Sequence, residues 1–508
     1  MARTRQALAV IGAFALARLA LAATLGFGVD EAYTLTIARG LDLSYFDHPP
    51  LHQWIAHFAA LGLGEGVVDR LPFIALFSGS GWLMFALTRR LFDARAGLWA
   101  LFALNVSAFF LVSGGGWIVP DGPLIFALLA AALVAAGLFF DPDPSSSAIW
   151  RRWLAVGFWL GCAGLSKYSA ALSALGLVAF VALDLRQRRW LAHPAPYAAA
   201  LLCLAMLTPV VVWNARNGWV SLAFQGARGA PGAHWRLDQV GAMALGQIAL
   251  LTPWIAIPLA LAFVDAARRA GGDGRRLFLI CLAAPPIALF TLTPLWGARG
   301  LPHWPMPGWL FVYPLLGAWV VDPARRFNAR RWAVASAALM AAITVVLVAQ
   351  ADTGWLSHLA RLKTDPTLEA LGWDALRRDP LLDPASPDRA AFVVTDKWSD
   401  AGKIAQALGP SMPILILSAD PRGFAFLDDS ANYIGRDGVI VLDRRRAASI
   451  AAFRPYFERL DAPRTLAFGR SGHDEVDLIL IGAHHLVNAF ALPYLERIAP
   501  APANQSLP

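Results

Sequence analysis

The chain has 508 residues, of which 57% are hydrophobic and 15% charged, with a net charge of +8 and a positive mean hydropathy. Soluble globular domains carry about 25% charged residues, so a freely soluble enzyme is excluded. Arginines between apolar runs account for the positive charge, so no nucleic-acid partner is required.

A bilayer-spanning helix needs roughly 20 apolar residues. Such runs recur at 7–27, 72–88, 96–113, 122–140, 152–166, 169–184, 196–213, 239–264, 277–295, 307–321 and 332–350. They predict a polytopic α-helical membrane domain of about eleven spans over residues 1–350. The first run follows Arg3 and Arg5 as a signal peptide would. Arg18 interrupts it, however, and the exit segment GFGVDE is a poor cleavage site, so it reads as an uncleaved span. With a cytoplasmic N-terminus, the inner connections hold 18 arginines; the outer ones hold Arg39, Arg70, Arg216, Arg228, Arg236, Arg299 and Lys167. The positive-inside rule then sets the topology and puts everything after residue 350 outside. Cys162, Cys203 and Cys281 fall in predicted spans and read as small core residues.

The first outer segment, GVDEAYTLTIARGLDLSYFDHPPL (28–51), is dense in acids. Asp30 sits at the expected N-cap of a short helix with Tyr33, Ile37 and Leu41 on one side, so it is either a cap or a reactive carboxylate. Asp42 and Asp47 read as solvated loop acids. After Pro49 and Pro50, Leu51, Trp54, Ile55 and Phe58 repeat at helical spacing. This predicts a helix along the membrane surface with His52, Gln53 and His57 facing water. Asp121, in GGGWIVPDGP, either starts a turn or is kept near the membrane for chemistry. Lys167 is the single lysine of the first 350 residues. A compact ammonium suits a phosphate or carboxylate, or an interfacial anchor. Later outer segments add Arg216, Arg228, His234 and Arg236, then Arg299 and His303. Five of the six histidines before residue 350 lie in outer segments. One face therefore gathers the chemistry of a site for an anionic, polar substrate presented at the membrane. No Walker, Rossmann or zinc-protease spacing is present.

Residues 351–508 hold 20 of the 35 acids and 17 of the 43 Lys plus Arg. Strand-like runs at 390–396, 413–418, 438–443, 464–469 and 476–482 alternate with helical patterns at 399–408 and 447–459. The expectation is a small soluble α/β domain ending in a disordered tail, APAPANQSLP.

In this order, DEAYTLTIARGLDLSYFDHPPL, PDGPL (120–124), GLSKYSA (164–170), WNARNGWVSLAFQ (213–225) and HWPMPGWL (303–310) resemble the dolichyl-phosphate-mannose protein mannosyltransferases, glycosyltransferase family 39. The resemblance extends to their bacterial relatives, including the lipid A aminoarabinose transferases, and covers about residues 1–350. It implies a GT-C fold and inverting transfer of a sugar from a polyprenyl-phosphate carrier to a lipid, glycan or protein. Transfer would occur at the periplasmic face of a bacterial inner membrane, among membrane lipids. It implies Asp30 as catalytic acid or base and Asp121 as its second outer acid. His48 stands where the aminoarabinose enzymes often carry lysine, and Lys167 matches the family's Ser/Thr-Lys step. Candidate substrate contacts are Glu31, Tyr33, Asp47, His48, Lys167, Tyr168, His234, Arg236 and His303. Lys167, with Arg236 or His234, would stabilise the leaving phosphate. Asp47, Asp121 and His234 are the candidates should a divalent metal ion be used. The rival reading is a transporter or flippase of a lipid-linked sugar. It is disfavoured because the charges crowd one face and no repeated halves are visible.

Overall fold

The computed structural model describes residues 1–142, 145–230, 235–298, 300–360, 365–491 and 494. His234, Arg299 and the 499–508 tail lie outside the described residues.

Every one of the eleven apolar runs is helical. Five helices are long and apolar enough to cross a membrane: Ala2–Thr24, Val67–Leu91, Asp121–Phe140, Gly274–Trp296 and Ala329–Thr353. Counting each bent pair as one span raises the number to eight among the described residues. The protein is a multi-pass membrane protein. The run at 96–113 bends by 84° between Ala94–Asn105 and Ala108–Gly116. There the Ser107 hydroxyl bonds both Ala103 O and the Tyr313 hydroxyl. The run at 239–264 bends by 109° at Thr252, whose φ is 68°, followed by Pro253. Continuous hydropathy across these runs conceals both breaks.

After the first long helix, α1 (Ala2–Thr24), come two short ones, α2 (Val29–Ala38) and α3 (Leu51–Leu63). Both were expected, but α3 is turned the other way from an interfacial helix with a wet polar face. His52 and Gln53 are buried while Phe58 is exposed, and His57 Nδ1 lies 2.7 Å from Ala38 O. The water-facing assignment of His52 and His57 is corrected: in a membrane protein the apolar side of a helix can face lipid and the polar side face protein.

The C-terminal part forms a six-stranded sheet: β1 (Phe392–Thr395), β2 (Ile414–Ile416), β3 (Gly438–Asp443), β4 (Phe457–Leu460), β5 (Arg464–Arg470) and β6 (His473–Leu486). The order is β2-β1-β3-β6-β4, with β5 also on β6. β1 runs parallel to β2 and β3, and the other pairs are antiparallel. β1, β2 and most of β3 are apolar because both faces are covered. The helical pattern expected at 447–459 survives only as short turns; its end is β4, paired to β6. On one face, Val393, Val439 and Leu480 join a core with Ile404 of the helix Trp398–Leu408 and with Tyr33 and Ile37 of α2. Gly402 allows this approach, since a Cβ there would lie 2.8 Å from Tyr33 N. Buried Arg470 pins the sheet to the end of the helix Ala329–Thr353. It donates to Gln350 O at 2.8 Å, Asp365 Oδ2 at 2.7 Å and Glu475 Oε2 at 2.6 Å.

Candidate active site

The site forms where α2, the loop to α3, two helix ends and the C-terminal sheet meet. Asp30 lies in the first turn of α2, not at its cap; Gly28 is the N-cap and its N–H donates to Glu31 Oε2 at 3.1 Å. The Asp30 side chain reaches solvent, yet protein closes around it on enough sides that burial raises its carboxyl above the usual value. Asp47's charge adds to that shift, while Arg422 and Lys167 oppose it. Asp47, Asp121, Lys167 and Arg422 thus all lie within electrostatic reach of Asp30.

Asp121 opens the helix Asp121–Phe140, and Lys167 ends the helix Ser146–Ser166. An acid at a helix N-terminus and a cation at a C-terminus are each favoured by the helix dipole. The two side chains meet in a buried pair, with Nζ 2.9 and 3.0 Å from the carboxylate oxygens. Lys167 is thus not a free cation, and one ammonium donor is left for a ligand. Asp47 is buried rather than solvated. Tyr33 Oη donates to its Oδ1 at 3.1 Å, and burial raises both groups above their ordinary values. Asp42, at the surface, accepts from Trp213 Nε1 at 2.7 Å. Phe46 stacks on Tyr494 at 4.4 Å between ring centroids and meets Phe224, tilted by 44°, at 4.8 Å.

Two expected contacts, Glu31 and Arg236, are placed away from a ligand surface. Glu31 is fully buried against Arg70, Nη2 to Oε2 at 2.6 Å, and belongs to the scaffold rather than to a ligand surface. Arg236 is exposed and paired with Asp238 at 3.1 Å. His48 and His303 are neutral: burial, with Lys167's charge, pushes them down to about 3 and about 4. Tyr168 shares a hydrogen bond of 2.8 Å with Ser221. Among the described residues no group of three His, Cys, Asp or Glu side chains could hold a metal ion, and Asp121 is committed to Lys167.

Two further cations join the site: Arg228, expected only as one of several outer-segment cations, and Arg422, not singled out from sequence. Arg228 forms no ion pair among the described residues and lies 4.6 Å over the Trp304 ring. Burial, then the neighbouring charge of Arg422, lowers its affinity for its proton. Arg422 comes from the C-terminal domain, 3.8 Å from Asp47 Oδ2. Nothing local marks either residue: Arg228 lies in the last turn of the helix Val220–Gly229, and an arginine there looks like any other until the chain folds. A cavity of about 360 Å³ is lined by Lys167, Arg228, His48 and Tyr168 together with Leu172, Leu289, Phe290, Trp296 and Trp304. A second, of about 960 Å³, touches Val29 and is lined mostly by charged side chains, among them Glu369, Lys397, Lys403, Asp400 and Arg446. Val29, next to Asp30 on α2, lines this cavity, and burial and then the charge of Asp30 raise the Glu369 carboxyl.

A polytopic helical body carrying a small sheet domain, with acids and cations gathered at their junction, has solved counterparts. ArnT from Cupriavidus metallidurans in the apo state superposes with a TM-score of 0.65 at 15% identity, over 95% of this chain and 98% of that one. ArnT bound to undecaprenyl phosphate gives 0.60 at 15% identity, over 93% and 97%. This chain has the GT-C glycosyltransferase fold. The GT-C chain is also similar to the apo oligosaccharyltransferase of Archaeoglobus fulgidus, with a TM-score of 0.50 at 12% identity over 92% of this chain and 74% of that one. Its residues 47–213 match the family model described as dolichyl-phosphate-mannose-protein mannosyltransferase. That stretch includes Asp47, His48, Asp121, Lys167 and Tyr168. No curated protein matches its sequence.

Proposed function

We propose that the GT-C chain is an inverting glycosyltransferase that moves a sugar from a polyprenyl-phosphate carrier to an acceptor at the periplasmic face of the inner membrane. The N-terminus would be cytoplasmic, with residues 1–350 as membrane domain and 351–508 as periplasmic domain. The observation that carries this reading is the 360 Å³ cavity, in which an Arg228 without an ion pair among the described residues and a shared Lys167 meet an aromatic and aliphatic wall. Such a lining matches a prenyl phosphate: cations for the phosphate, apolar walls for the first isoprenes. A solved structure of the same fold is bound to undecaprenyl phosphate.

In the step proposed, the bond between the anomeric carbon and the phosphate oxygen breaks, and its electron pair leaves with the phosphate. Arg228 and Lys167 stabilise the charge that grows there. The acceptor hydroxyl attacks the opposite face of the sugar and gives its proton to Asp30. Asp121 holds the Lys167 ammonium in place. The larger, charged cavity adjoining Asp30 would admit the acceptor, whose polar lining favours a hydrophilic group over a lipid tail.

Transfer from a purified polyprenyl-phosphate sugar to an envelope extract tests this reading. Asp30→Asn should lower turnover by about 10²–10⁴-fold, the usual worth of a positioned base. Unchanged turnover in a well-folded variant removes Asp30 from the reaction. Flipping of labelled carrier without any glycosyl transfer by the wild type would favour a flippase.

A further inference from the structure

Arg422 has an unusual backbone and an unusual side chain. Its φ is 49°, a left-handed conformation that costs a non-glycine residue free energy and gathers at functional sites. The turn it opens presses on α2: a Cβ on Gly423 would lie 2.7 Å from Tyr33 Oη, and Gly423 N donates to that oxygen at 3.0 Å. The guanidinium lies 3.7 Å over the Trp398 ring, which holds its plane. Yet among the described residues its side chain makes no hydrogen bond. Nη1 is 3.8 Å from Asp47 Oδ2 and Nε is 3.6 Å from Asp420 Oδ2, both too long for hydrogen bonds. Nε is buried without a hydrogen-bond partner among the described residues. Asp47 is likewise half used, with Tyr33 on Oδ1 and Oδ2 left facing Arg422.

A donor and an acceptor held side by side, each unsatisfied, match a ligand group that both gives and takes a hydrogen bond. A hydroxyl does both. A phosphate there would face the carboxylates of Asp47 and Asp30, and an apolar group would leave both partners unpaired. We propose that Arg422 and Asp47 form a clamp on the hydroxyl groups of the donor sugar, so that the C-terminal domain contributes the residue that selects which sugar is transferred. The clamp rests on the donor reading above and adds sugar recognition to it. Arg228 and Lys167 hold the phosphate, Asp30 meets the acceptor, and the sugar lies between them against Arg422.

The test compares binding of undecaprenyl phosphate with that of undecaprenyl phosphates carrying individual hexoses and pentoses, to the full chain in nanodiscs. The wild type should bind at least one sugar-loaded carrier about tenfold or more tighter than undecaprenyl phosphate itself, because a site built to hydrogen-bond a hydroxyl discriminates strongly against its absence. Arg422→Gly should erase that margin while leaving undecaprenyl phosphate affinity within about twofold. Its melting temperature should hold or rise, because glycine accepts the positive φ. Arg422→Lys, which keeps the charge but not the planar fork, should also lose the margin. A margin that survives Arg422→Gly overturns the clamp. So does an equal loss of affinity for undecaprenyl phosphate, which would make Arg422 a phosphate ligand, or a collapse of melting temperature in both variants, which would make it a structural pin. A wild type that binds no undecaprenyl phosphate sinks the donor reading and the clamp with it; the other outcomes sink the clamp alone.

Discussion

Replacing Glu31 with glutamine tests whether this acid serves the scaffold or a ligand. Glu31 is 0% exposed and Arg70 2%. The carboxylate accepts from Arg70 Nε at 2.8 Å and Nη2 at 2.6 Å, from Gly28 N at 3.1 Å and from Ile118 N at 3.2 Å. Arg70 also donates to Leu25 O at 2.7 Å and Gly26 O at 2.9 Å. This network stitches the exit of α1 to the start of α2, one residue from Asp30. An exposed pair would contribute about 0–1 kcal/mol, but removing one partner of a buried pair costs about 3–5 kcal/mol because the other charge stays behind uncompensated. Glutamine keeps the volume and one acceptor, so the loss should fall near the lower end, about 3 kcal/mol, or more than a hundredfold in the folding equilibrium. Reversible unfolding in bicelles would measure it. Glu31→Leu combined with Arg70→Met should not recover the loss, since it would also leave Gly28 N, Ile118 N, Leu25 O and Gly26 O without the partners this pair supplies. A Glu31→Gln loss below about 1 kcal/mol, or a double-mutant cycle without coupling between the two positions, would refute the reasoning.

Asp30 also predicts a pH dependence. Its folded carboxyl is raised above the ordinary 3.8, chiefly by burial and then by Asp47, and a base works only when deprotonated. Turnover should therefore rise with pH along a limb lying above 3.8, and Arg422→Gly, which removes a charge that lowers Asp30, should move that limb further up; a limb at or below the ordinary value would contradict the assignment. Arg228→Met should weaken undecaprenyl phosphate binding about 10- to 100-fold, the worth of a charged hydrogen bond of about 1.5–3 kcal/mol; competition with labelled carrier reads it, and unchanged affinity removes Arg228 from the phosphate site. Gly402→Leu places a side chain where even a Cβ lies 2.8 Å from Tyr33 N. It should cost about 1–3 kcal/mol by overpacking and speed proteolysis between the C-terminal domain and α2; a wild-type melting curve and digestion pattern would show that the two elements are not held this closely.

Much of the architecture was legible without coordinates. Hydropathy is a property of the chain itself, so the helical runs, the two short outer helices and five of the six strands appear where pattern and turn residues place them. Asp30, Asp121 and Lys167 stood out because each is a charged group in an apolar setting, and desolvation makes such groups rare unless they are used or paired. Direction was less legible than position. α3 has the periodicity of a surface helix, and nothing in a period says whether its polar side meets water or protein. β4 was read as helix because its residues 457–460 pair only with a distant segment, β6.

By itself, then, the sequence determined a polytopic helical body, a small sheet domain and the chemistry gathered on one face of the former, because burial preference and backbone propensity act locally. Only tertiary structure decided that Glu31 belongs to Arg70, that Asp121 neutralises Lys167, and that Arg228 and Arg422 converge on Asp47 and Asp30. Those are choices among many possible partners for a charge. They are settled by which groups are brought within a few ångströms in a medium of low dielectric, and residues 31 and 70, or 47 and 422, carry no mark of that meeting in their order along the chain.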